Sequence, residues 1–178
     1  MLPGSCLARI DHLLRHFRHL RHITRAFSRY PRNDQIYIHH IGDTYVANLL
    51  TDPRDMPIGF SSSGKLAPDT FRSNPAFLEL LHHTMGNQIQ NDFSFIMEAG
   101  ANANAFMPIY DFRETPNYAR TPEVDDIFGY VLVDANGKIV QSTYEANQLY
   151  RLCNGTGLVK FTDYMVEEMR KETAGAPK

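Results

Sequence analysis

Long apolar runs are missing from this 178-residue chain, and no segment approaches the roughly 20 apolar residues that a helical membrane span requires. Cysteine is scarce as well. Cys6 and Cys153 are the only two, which rules out a disulfide framework in the body and fits a reducing compartment. Acid is nearly absent from the first 33 positions, where Asp11 faces seven arginines and four histidines. That stretch carries a net charge of +6, against −8 for residues 34–178. An imbalance of this kind marks a basic tail ahead of an acidic folded body. No repeat period or linker divides the body, so residues 34–178 are expected to form one domain.

The tail has helical order. Leu7, Ile10, Leu13, Leu14, Phe17, Leu20, Ile23 and Phe27 recur at spacings of three and four, which places them on one side of a helix. Arg15, Arg18, Arg25, Arg29, His19 and His22 fall on the other side. An amphipathic, arginine-rich, acid-poor N-terminus is the pattern of a mitochondrial transit peptide. Residues 1–33 are read as one, with the matrix or the matrix-facing inner membrane as the expected location. A secretory signal would need an unbroken apolar core, and none is present. Arg25-Ala26-Phe27-Ser28 resembles a processing site in which Arg stands three positions before the cut. Arg25, Phe27 and Ser28 would then mark the cleavage, with Ser28 opening the mature chain. Two other readings of the tail are a retained basic helix on anionic lipid or nucleic-acid phosphate, and a surface helix of the fold. His12, His16 and His19 have helical spacing but no acidic or cysteine co-ligand that shares it, so no metal site is expected in the tail.

In the body, residues 35–41 and 45–50 read as strands joined by a Gly42-Asp43 hairpin turn. Residues 51–69, with three prolines and three consecutive serines, read as a mobile loop. Asn74-Pro75 opens a helix, with Asn as cap and Pro in the first turn. Phe77, Leu78, Leu80, Leu81 and Met85 form its apolar face, Leu80 and Leu81 are its expected core contacts, and Gly86-Asn87 is the expected stop. Residues 93–98 and 106–112 read as two strands, the second demoted to an edge by Pro108. Residues 113–124 read as a polar loop. Residues 127–133 and 138–142 flank Asp134-Ala135-Asn136-Gly137 as a hairpin, and residues 149–153 and 158–161 pair across a second Gly-rich turn. A final helix begins near Thr162-Asp163, burying Tyr164, Met165 and Met169. Short turns make antiparallel neighbours. The expected fold is therefore α+β: a single domain with an antiparallel sheet of five to seven strands and two main helices, preceded by the N-terminal basic amphipathic helix.

Motifs with chemical meaning are few. Residues 59–65 fit the G-x-x-x-x-G-K frame of a phosphate-binding loop, but Leu66 stands where Mg²⁺ needs Ser or Thr. Pro57 and Pro68 also replace the strand and helix that the motif requires. Asp134, at the end of an apolar strand, is explained locally by its turn. His39, His40, His82 and His83 are the body's histidines. Adjacent residues on a strand face opposite ways, so each pair reads as one packed and one exposed side chain. Joined to a carboxylate such as Asp43 they could hold a metal, but nothing in the sequence fixes their proximity. Cys153 has no nucleophile signature around it. Asp125-Asp126 and Glu167-Glu168 read as solvated charges, and the Asn154-Gly155-Thr156 sequon reads as unused. No catalytic, cofactor or metal site is assigned.

Three places carry a family resemblance. They are Tyr37-Ile38-His39-His40-Ile41-Gly42 followed by Tyr45-Val46, then Phe77-Leu78 through Leu81 and Met85, and then Tyr144-Glu145-Ala146 with Leu152, Asn154-Gly155 and Leu158. The chain from residue 36 to 169 resembles the uncharacterised protein family 0598 of small proteins. Histidine stands where that family tends to have Asp near the first turn, and Ala146 replaces Pro. The resemblance implies a mitochondrial address and no known catalytic residues.

The function expected from all this is that of a non-enzymatic accessory subunit or assembly factor. It would dock on a larger mitochondrial complex, with Tyr110, Tyr118 and Tyr144 as candidate aromatic anchors. One alternative is a small metal-assisted enzyme using the body histidines and a carboxylate. Another is an RNA-binding component of the mitochondrial ribosome, which requires the basic tail to be retained because the body is acidic.

Overall fold

The structure, a computed structural model, describes residues 27–114 and 121–175. The basic tail through Arg25, the Tyr118 loop and the chain's last three residues lie outside the described residues. The architecture is α+β, with three helices and ten strands among the described residues. Five strands form one antiparallel meander in the order β1-β2-β3-β4-β5: β1 Phe27–Tyr30, β2 Asn33–Ile41, β3 Thr44–Asn48, β4 Gly59–Ser61 and β5 Phe71–Ser73. Helix α1 (Pro75–Gln88) follows, then helix α2 (Phe93–Ala99). A three-stranded antiparallel sheet combines β6 (Phe106–Tyr110), β7 (Ile127–Leu132) and β8 (Glu145–Ala146) in that order. A short ribbon of β9 (Cys153–Asn154) and β10 (Gly157–Leu158) leads into helix α3 (Asp163–Thr173), which packs on α1.

Local chemistry explains most boundaries. Gly42 takes a φ of +61° in the turn that returns β2 to β3, a conformation that costs glycine nothing. The Asn74 side chain accepts from the Ala76 amide at 3.1 Å and donates to the Pro57 carbonyl at 2.8 Å. It therefore caps α1 and ties its start to the strand layer. Thr162 caps α3 by accepting from the Met165 amide at 3.1 Å. Phe77, Leu81, Thr84 and Met85 are the buried residues of α1, spaced as one helical face should be. Leu81 is fully buried whereas Leu80 is only partly so, so the core contact expected of both belongs mainly to Leu81. The core joins Ile36, Ile38, Ala47 and Ile58 of the large sheet region to Phe77, Leu81, Phe95, Phe128, Phe161 and Met165.

The structure departs from the sequence reading in several places. Residues 93–98 are helical because Asp92 caps the Ser94 amide at 2.9 Å, and one turn then carries Phe95 and Ala99 inward. The stretch 51–69 is not a bare loop. It contributes β4 and buries Met56, Pro57, Ile58 and Leu66. Gly86 does not end α1, which continues to Gln88 while the Tyr144 ring lies close over that glycine. Residues 138–142 form only a bridge at Ile139 with Val133, and β7 takes β8 as its second partner. Gly129 makes that pairing possible: a Cβ there would stand 2.3 Å from the Glu145 carbonyl oxygen and 2.8 Å from the Tyr144 ring. β6 is an edge strand, as Pro108 requires. At the N-terminus, β1 pairs Phe27 with His39 and Ser28 with Ile38, so the ordered sheet begins ahead of the boundary drawn at residue 33.

Candidate functional site

The sequence-derived motifs resolve into structural roles. Gly59 lies against the Phe71 ring and the Arg72 carbonyl, with no room for a side chain. The serines that follow bond to one another and to their neighbours. The Ser61 hydroxyl donates to the Ser63 carbonyl at 2.8 Å, and the Ser63 amide donates to Ser61 Oγ at 3.1 Å. These groups are spent on the turn and form no phosphate cradle. His39 is buried and His40 exposed, the latter stacked on Tyr45 at 4.5 Å. His82 Nδ1 meets the Tyr144 hydroxyl at 2.9 Å, and burial lowers its pKa. His83 is exposed and pairs with Asn87. Among the described residues no group of three or more His, Cys, Asp or Glu could hold a metal. Cys153 is buried, its thiol donates to the Leu66 carbonyl at 3.3 Å, and burial pushes its pKa up, which disfavours the thiolate.

Asp126 was expected to be solvated and is not. It is buried and bound to Arg113 Nε at 2.8 Å, and Asp111 lies 3.2 Å from the same nitrogen. Arg113 spends its remaining donors on carbonyls. Nη1 donates to Leu152 and Gly157, and Nη2 donates to Asp125 and Arg151. The guanidinium also lies over the Tyr150 ring, 5.6 Å from its centre. Asp111 accepts the Arg113 amide, the Lys160 amide and the Tyr150 hydroxyl. Burial pushes the Asp111 carboxyl up to about 6, against the pull of Arg113 and the two amides. With every guanidinium N–H engaged, the node leaves no donor for a ligand. It pins β6, β7 and the β9–β10 ribbon together.

The surface feature that asks for a partner is α2. Phe95 and Ala99 face the core, yet Phe93 is 72 %, Met97 64 % and Ile96 42 % exposed. Their spacing of three and four puts these three on one side of the helix. Phe106 of β6 is also 58 % exposed. It alternates with the buried Met107 and Ile109, on the side of β6 from which Tyr110 reaches the helix. There the Tyr110 ring meets Phe95 edge-on at 5.6 Å and its hydroxyl donates to Glu98 at 3.2 Å. Burial raises the Glu98 pKa, and burial with the Glu98 charge pushes Tyr110 up to about 12. Glu98 is the only charged residue of α2. A helix apolar on nearly all sides is normally buried, and a cluster of exposed large apolar side chains marks an interaction surface better than any single one.

Phe93 also borders a broad groove of about 940 Å³ between the start of α2, the start of α3 and β2. Arg29, Lys160 and Arg170 line it together with Asp34, Asp163 and Glu167, so it has no single-sign field. Its best donors and acceptors are already used. Gln35 bonds both backbone groups of Phe161, and Asp92 takes the Thr162 hydroxyl. Of the expected anchors, Tyr144 is turned inward, its hydroxyl donating to the Phe128 carbonyl at 3.1 Å. Tyr110 is held by Glu98. The α2 surface was missed in the sequence because its residues read as a strand.

No protein family, curated protein or solved structure matches the chain.

Proposed function

We propose that the chain is a mitochondrial protein that acts by docking, an accessory subunit or assembly factor of a larger complex. Its contact would be α2 with Phe106. The observation that carries this reading is the exposure of Phe93, Ile96 and Met97 on a helix whose opposite side is already buried. The surface bears no charge on its outward side, so its complement is an apolar protein surface. Aromatic and methionine side chains are enriched at the cores of such interfaces. The address comes from the basic tail.

Native electrophoresis of mitochondria holding the tagged full chain tests the reading. The protein should migrate in an assembly well above its own 20.3 kDa. Phe93→Ser with Met97→Ser should release it as the free chain without lowering its melting temperature, because both side chains are exposed. Parent protein that migrates only as the free monomer overturns the docking role. A mature N-terminus at Ser28, read by mass spectrometry, is the expected result for the address. An uncut chain in the cytosol refutes it.

A further inference from the structure

α2 carries a single charge, and the chain supplies no cation to meet it. Phe95 and Ala99 turn toward the core. At about 100° per residue, Phe93 and Met97 point away from them, Ile96 lies on one flank, and Glu98 lies on the other. That second flank is the one Tyr110 of β6 reaches, its hydroxyl donating to Glu98 Oε2 at 3.2 Å. Among the described residues Oε1 takes no hydrogen bond, and no cation stands within ion-pair distance of the carboxylate. Partial burial raises the Glu98 pKa, and the Tyr110 bond offsets only part of that rise. The last turn of α2 also holds no base, although the carbonyl end of a helix favours one.

We propose that the protein partner of α2 carries a basic side chain that pairs with Glu98, so that the surface selects an apolar segment bearing a cation at its border. The inference rests on the docking role of α2 and gives that role its specificity. Covering Phe93 and Met97 would strip the remaining water from Glu98, and an ionised carboxylate without water or a cation opposes docking. Phe93, Ile96 and Met97 would accept many apolar faces, but a face with a base beside it escapes that penalty. Charge then discriminates where apolar contact does not. The body favours such a segment at longer range too, since residues 34–178 carry a net charge of −8, which attracts a basic partner.

Glu98→Gln removes the charge and keeps an acceptor for Tyr110. In native electrophoresis of mitochondria holding the tagged full chain, it should lower the fraction in the assembly about tenfold or more, the scale of a charge pair that loses one partner. Glu98→Arg should abolish the assembly. The free Glu98→Gln chain should melt no lower than the parent, because the change relieves a poorly solvated charge. Glu79→Gln, which removes an exposed acid from α1, should leave the assembly whole. An assembly that tolerates Glu98→Gln but is released by Phe93→Ser with Met97→Ser overturns the proposal and keeps the docking role. Loss of the assembly together with a lower melting temperature in Glu98→Gln also overturns it, since the carboxylate would then serve only to hold Tyr110. A parent chain that migrates free overturns the docking role and this inference with it.

Discussion

Replacing Arg113 with Met should be the most damaging single change in the body. The side chains of Arg113, Asp111 and Asp126 are 3 %, 0 % and 5 % exposed, so solvent screens none of them. Methionine fills much of the volume but leaves two buried carboxylates without their cation and removes the donors to four carbonyls. Breaking a buried ion pair by removing one partner costs about 3–5 kcal/mol. Against a total stability of about 5–15 kcal/mol, that is at least about a fifth of what holds the fold. At about 2–4 °C per kcal/mol for a domain of this size, the melting temperature should fall by roughly 6–20 °C. Urea titration followed by circular dichroism measures it directly. Adding Asp111→Asn and Asp126→Asn to Arg113→Met should recover part of the loss, because the uncompensated charges are then gone. A loss below about 1 kcal/mol, the value of an exposed pair, would mean that water reaches the node, and the argument from burial would fail.

The same node gives a pH dependence with a definite sign. The folded Asp111 carboxyl titrates near 6, above its ordinary 3.8, so the folded state holds the proton more tightly and stability falls as pH rises through that window. Asp111→Asn removes this slope, and its stability relative to the parent should therefore rise from about pH 4 to about pH 6; a flat difference in urea midpoints refutes it. Leu81→Ala should cost about 2–5 kcal/mol as a fully buried site, and Leu80→Ala clearly less; equal losses would mean that both line the core. Gly129→Ala should separate β8 from β7, with amide exchange at Ala146 rising sharply, because Cβ would stand within 2.3 Å of the Glu145 carbonyl; unchanged protection there would show that the strands can spread to admit it. Arg15→Gln, Arg18→Gln and Arg25→Gln together take the tail from +6 to +3 while keeping helix propensity. Each charge is worth about 2.3 kcal/mol per 100 mV of membrane potential, so import should stall, and normal trimming of the triple variant would remove the support for a mitochondrial address.

What could be read in the sequence was local chemistry. Gly42 at a two-residue turn, Asn74 before Pro75 and Thr162 before Asp163 each act within a few residues of themselves, and each does in the structure what its type implies. Pro108 marked an edge strand for the same reason. The misreadings share a different cause. Phe93, Phe95 and Ile96 are residue types common in strands, and the run from 93 to 98 is too short for its period to decide. The capping side chain of Asp92 and the cover that the sheet gives Phe95 decide for a helix. β4 and β5 have three residues each, too short for periodicity to show, and exist only because β3 offers an edge. The Arg113 node was illegible: apart from Asp111, its partners lie 12 to 44 positions away, and only the fold brings them to one guanidinium.

The N-terminal strand reconciles the tail with the body. Processing ahead of Ser28 would take away Phe27, and with it the edge-on contact to Tyr37 at 5.2 Å and the cross-strand pair with His39. It would not uproot β1, whose hold on the domain lies further along. Tyr30 is buried, Arg32 donates to the Gly155 and Thr156 carbonyls, and Asn33 donates to the Val159 carbonyl at 2.8 Å. These anchors tie the strand to the β9–β10 ribbon, and through Arg113 the ribbon is tied to β6 and β7. A cut at Ser28 therefore falls on the one part of β1 that the fold can lose. What changes is the surface: the outer face of the sheet, with Ile41 and Phe60 already partly exposed, would lose the Phe27 ring, whose centre lies 6.1 Å from that of His39. The trimmed body would then present two apolar areas, that face and α2.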